Sequence, residues 1–264
     1  MFFFSHKLPV SNEDRIWVDD GFKRLEKLLG RNRMLEAKVV EPTAEDFPDA
    51  YNKTPEALEQ LFARVCGYMK VDRRTIRLEI FPDETEELRE MLPSWSGRGG
   101  KIPAGLYLHA HQQEHAMDDP DDGMVVAIRS SMMKDPTSLI ATVAHELGHV
   151  ILLGGKLMSS TTEDHEPMTD LLTVFLGLGI FTANSAARFK QFQNDQKIGW
   201  SMNRLGYLPE PVFGYALARF ATERGEVSPG WARHLSPNVK ADFKNSKRWL
   251  DENPQFVALA KPIS

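Results

Sequence analysis

Asp135 to Gly155 is the stretch that most constrains the fold. Asp135-Pro136 reads as a helix start, with aspartate as cap and proline at the first helical position, and Gly154-Gly155 reads as its stop. Between them Leu139, Val143, Ala144, Leu147, Val150 and Ile151 give the apolar packing of a buried rod about 18 residues long. Inside that rod lies His145-Glu146-Leu147-Gly148-His149. At about 3.6 residues per turn, positions four apart share a face, so both imidazoles reach one metal ion from a rigid element. Glu146 sits about 100° round the helix, where its carboxylate can face a metal-bound water without being a ligand.

Zinc lowers the pKa of its water to about 7, and a neighbouring carboxylate that takes the proton makes a nucleophile at neutral pH. Amide hydrolysis is the natural use of such a pair. A catalytic zinc site needs a third protein ligand and keeps its fourth position for water. The metzincin spacing would put glycine at 152 and histidine at 155, but Leu152 and Gly155 stand there, which excludes that class. Glu163, Asp164, His165, Glu166 and Asp170 all lie within reach as third-ligand candidates. Glu166 and Asp170 are four apart, on one face of a second helix patterned by Leu171, Leu172, Val174, Phe175, Leu178 and Ile180. Pro167 has no amide hydrogen, so it belongs in the first turn of that helix and Glu166 at its edge.

The two segments together, His145-Glu146-Leu147-Gly148-His149 and His165-Glu166-Pro167-Met168-Thr169-Asp170, resemble the gluzincins, the thermolysin-type zinc peptidases. The second segment is similar to their Asn-Glu-x-x-Ser-Asp run. The resemblance covers Asp135 to Ile180 and implies one zinc ion held by His145, His149 and Glu166. It further implies that Asp170 orients His145 from behind, a role carboxylates often take toward ligating imidazoles. It implies a zincin-like α+β fold and hydrolysis of peptide or protein substrates, with Glu146 as general base. The expected layout is one domain over 1–264: an α/β lobe over 1–134, the metal helix over 135–155 and a helical lobe over 156–264. The family's oxyanion-steadying histidine has no matching motif; His234, Tyr207, Tyr215 and Arg204 are candidates, each also explained as surface or packing. The alternative is a non-catalytic binding or regulatory protein stabilised by the same metal, which leaves the presence of Glu146 unexplained.

Composition narrows the partners. Of 264 residues, 32 are Lys or Arg and 37 Asp or Glu, a net charge of −5, so no global field would hold a nucleic acid. Cys66 is the single cysteine, which excludes an internal disulfide and fits a reducing, cytoplasmic setting. Met1-Phe2-Phe3-Phe4 gives way at once to Ser5-His6-Lys7, too short an apolar run for an export signal, and no uninterrupted apolar run of about 18 residues predicts a membrane span.

Elsewhere the pattern predicts a helix over 13–29 that stops at Gly30, a second over 55–68 with Thr54 as cap and Pro55 in its first turn, a short strand over 34–40, and a turn between Pro42 and Pro48. A strand over 75–81 should point Ile76, Leu78 and Ile80 inward. Strands over 104–108 and 124–129 follow, the latter expected as a sheet edge that an extended peptide could join. Pro93–Pro103 reads as a loop and Asp118–Gly123 as a solvated acidic turn. His109, His111 and His115 form a histidine cluster that is either a polar loop or a further metal site. Gly177-Leu178-Gly179 points to close helix packing. Helices are expected over 209–223, with Tyr215, Leu217 and Phe220 in the core, and over 236–252, capped by Ser236.

Overall fold

The computed structural model describes residues 7–83, 105–108, 124–193 and 208–256. These form a mainly helical α+β chain with one small sheet. The loop at Pro93–Pro103, the acidic turn at Asp118–Gly123 and the cluster at His109, His111 and His115 lie outside the described residues. The chain divides into two compact units, one of residues 42–165 and 188–197, the other of 1–41, 166–187 and 198–264.

The first of these holds the sheet and the histidine-bearing helix. Helix α3 (Pro55–Met69) begins as expected, with the Thr54 hydroxyl accepting the Ala57 amide at 3.3 Å and proline in the first turn. It buries Leu58, Leu61, Phe62, Val65, Cys66 and Met69 along one side. Strands β1 (Ile76–Phe81), β2 (Gly105–Leu108) and β3 (Met124–Arg129) form a sheet of order β1-β3-β2, with β1 parallel and β2 antiparallel to β3. The expectation that 124–129 is a sheet edge is therefore corrected: β3 is central. Its backbone groups are shared between Ile76–Phe81 on one side and Gly105–Leu108 on the other, leaving no row for an added strand. Val125 to Ile128 are all buried, as a central strand covered on both faces requires. The inward alternation expected of β1 also fails at its far end, where Ile80 is 40% exposed and Phe81 is buried. The layer that covers Ile76 stops short of Ile80.

Helix α4 (Pro136–His149) runs on into a π-helical turn, Val150–Gly154. Asp135 caps it, its Oδ1 accepting the amides of Thr137 and Ser138 at 3.2 and 3.3 Å. The rod packs on α3 and on β2 and β3, and Leu139, Ala141, Val143, Ala144 and Leu147 are fully buried. By length and composition Pro136–Gly154 could cross a bilayer, but 78% of its apolar window is buried inside the protein, as in a core helix.

The other unit gathers helix α1 (Asn12–Leu29), helix α2 (Arg31–Leu35), α5 (His165–Phe175, its first residue still counted in the sheet unit), α6 (Gly179–Gln193, counted in the sheet unit from Arg188 on), α7 (Glu210–Glu223) and α8 (Pro237–Glu252). Ser11 caps α1, and Gly30 at φ +86° ends it and lets the chain re-enter a helix at once. The strand expected over 34–40 is thus replaced by α2 and an irregular stretch. Arg224 donates to the carbonyls of Met34, Leu35 and Ala37, which serves the end of α2, and the Val40 amide goes to Gly177 O at 2.9 Å instead of to a ladder. The apolar pattern running to Ile180 is two helices, broken at Gly177 with φ +85°. Tyr215, Leu217 and Phe220 are buried as expected, and the Tyr215 hydroxyl donates to Asp19 at 2.9 Å. Ser236 stands at the cap position of α8 without a side-chain cap bond, while its amide donates to Asn184 at 2.7 Å.

Gly177 is needed for two reasons, its positive φ and the Lys38 carbonyl, which a Cβ would overlap. Gly225 has φ +70° and open space. Gly225→Ala should therefore lose only the left-handed strain, about 1–2 kcal/mol, and Gly177→Ala roughly 2–5 kcal/mol once the clash is added, read from urea midpoints. Burial pushes the Cys66 thiol up to about 12. At pH 8 only about one molecule in ten thousand would carry the thiolate, so Ellman's reagent should leave the native chain unlabelled for hours and react fully after denaturation.

Candidate metal centre

Helix α4 carries His145, Glu146 and His149, respectively 3, 4 and 7% exposed. The two imidazole rings lie 4.8 Å apart, centroid to centroid, and nearly perpendicular at 86°. That follows from the four-residue spacing, which stacks the side chains on one face. Glu166 is the second residue of α5, half-buried in its first turn, with Pro167 directly after it.

One nitrogen each from His145 and His149 and one carboxylate oxygen of Glu166 all lie within 4.8 Å of one another. Ligands about 2.1 Å from a tetrahedral zinc are about 3.4 Å apart, so small side-chain rotations would seat all three on one ion. Two imidazoles and a carboxylate are a donor set suited to catalytic zinc. Of the other third-ligand candidates, Glu163, Asp164, His165 and Asp170 are not members of this group.

His165 stands beside the group, its ring 6.0 Å from that of His149. Its Nδ1 is 2.8 Å from the Thr162 carbonyl, which can only accept, so Nδ1 carries the hydrogen. Asp170 is buried and its Oδ2 accepts the Leu208 amide at 2.8 Å.

Two neighbours of the site have no signal in the linear sequence. The Tyr107 ring stacks on His149 at 6.2 Å and 24°, and burial pushes its phenol up. Gly105 lies against Glu146. Period-two alternation puts 105 and 107 on one strand face, but that is informative only once β2 is known to lie beside α4. Of the oxyanion candidates, Tyr215 is tied to Asp19 in the core, and His234 Nε2 is 2.9 Å from Glu41. Arg204 and Tyr207 lie outside the described residues.

No protein-family model, curated protein or solved structure matches this chain. The chemistry is therefore argued from these residues and their geometry.

Asp170→Ala would leave the buried Leu208 amide without its acceptor, whatever the metal state. With zinc stripped by a chelator, the variant should still lose about 1–3 kcal/mol of unfolding stability, measured by urea denaturation. An unchanged midpoint would mean that the bond to Leu208 carries nothing.

Proposed function

We propose that this chain is a zinc-dependent peptidase of the gluzincin type with a zincin-like fold, holding one Zn2+ through His145, His149 and Glu166. One observation carries the reading: three donors suited to zinc converge, and a buried carboxylate that is not among them, Glu146, follows the first histidine on the same helix. A structural metal site has no use for that extra acid.

Zinc bound there supplies a Lewis acid for the scissile carbonyl and lowers the pKa of the attacking water. Glu146 takes the proton of that water and afterwards returns it to the leaving amine. The apolar shell of Leu139, Val143 and Leu147 holds the helix rigid and keeps bulk water from its buried side. Asp170 is assigned the orienting of His145 in addition to its bond to Leu208. An extended peptide would add beside β2, the outer strand next to Glu146 among the described residues, since β3 is paired on both sides. The partner is a peptide or protein, in a reducing, cytoplasmic setting.

Elemental analysis should give close to one zinc per chain, and Glu166→Ala should lose it. Glu146→Gln should keep the metal while cleavage of a diverse peptide library falls at least about 100-fold. Zinc-loaded, folded protein that cuts nothing, before or after limited proteolysis to relieve a blocking segment, would overturn the peptidase reading.

A further inference from the structure

Gly105 has no described need of glycine's conformational range, for its φ lies outside the positive region that glycine favours. What it lacks is room. A Cβ built on it would lie 2.7 Å from Cγ2 of Thr142, 2.8 Å from Oε1 of Glu146 and 2.9 Å from Cγ of Glu146. Carbon contacts settle at about 3.5–4.0 Å, so not even a methyl group fits. Thr142 and Glu146 are one turn apart on α4, and the backbone of β2 is seated in the groove between them. Two residues along, on the same strand face, Tyr107 stacks on His149. Gly105 itself pairs with Ile128 of the central strand. With the strand held at both places, relief of a clash at 105 falls on the side chains of Thr142 and Glu146.

We infer that Gly105 is a positioning residue for Glu146: by bringing bare backbone against the side chain, β2 fixes where its carboxylate stands. The inference rests on Glu146 being the general base of the proposed reaction. The glycine then serves the base, since two of the three atoms nearest to a Cβ at 105 belong to Glu146, whereas a glycine present only for close packing would affect stability alone. A positioned base is sensitive to displacements of about 1 Å, which can lower turnover about 100-fold.

The test is Gly105→Ala in native and Glu146→Gln backgrounds, with zinc content, kcat and KM measured for each and a crystal structure solved of the zinc-loaded Gly105→Ala protein. The expected result is one zinc per chain, unchanged KM, kcat lower by about 10- to 100-fold in the native background, and less than about a twofold further effect in Glu146→Gln, the coupling of residues that act through one another. The crystal structure should show the Glu146 carboxylate displaced with His145 and His149 in place. Equal losses in both backgrounds, or a native-like Glu146 with β2 moved away from α4, would overturn the inference. Should Gly105→Ala fail to fold, the same measurements on Gly105→Ala/Thr142→Ala against Thr142→Ala remove the methyl clash and leave the one with Glu146. If the native protein cuts nothing, the peptidase reading falls, while the position of Glu146 in the crystal still decides whether Gly105 places it.

Discussion

The sheet unit is built round one demand, the burial of two imidazoles and a carboxylate on a helix whose other buried side chains are mostly apolar. Polar groups taken from water are unfavourable unless matched. Helix α4 meets that demand by carrying its donors on adjoining faces of one turn, with α3, β2 and β3 packed about the rod. The third member of the His145, His149 and Glu166 group lies at the start of α5, where Pro167 needs no amide partner.

Local signals in the chain were the legible ones. The caps at Thr54 and Asp135 and the glycine stop at Gly30 set helix limits to within a residue or two, because each acts on neighbours two to four positions away. Expectations failed where the outcome depends on distant partners. Residues 34–40 have strand-like side chains, yet they find Arg224 and Gly177 instead of a strand. Met124–Arg129 looked like an edge because parallel pairing with β1 depends on a connection of more than forty residues. Ile80 has the right parity but no cover.

The same division runs through the candidate site. His145, Glu146 and His149 are readable because helical spacing alone brings them together, whereas Glu166 comes only from the resemblance of its segment to the gluzincin run, since spacing leaves Glu163, Asp164, His165 and Asp170 open beside it. Gly105 and Tyr107 are unreadable because their importance comes from strand pairing. Asp170 is readable only in part: its spacing from Glu166 is visible, but its hold on the Leu208 amide is not.

The π-helical turn at Val150–Gly154 has a consequence for how the histidine pair stays in register. Its Gly155 amide reaches back five residues, to Val150 O at 3.1 Å, so the rod contains one residue more than an α-helical ladder of that rise. Such a surplus turns everything beyond it by about 100°, and Gly154 is thereby brought onto Met124 and Tyr107. Had the extra residue landed between the histidines, they would face different ways. Placed after His149, it alters what meets the sheet while His145 and His149 stay four apart.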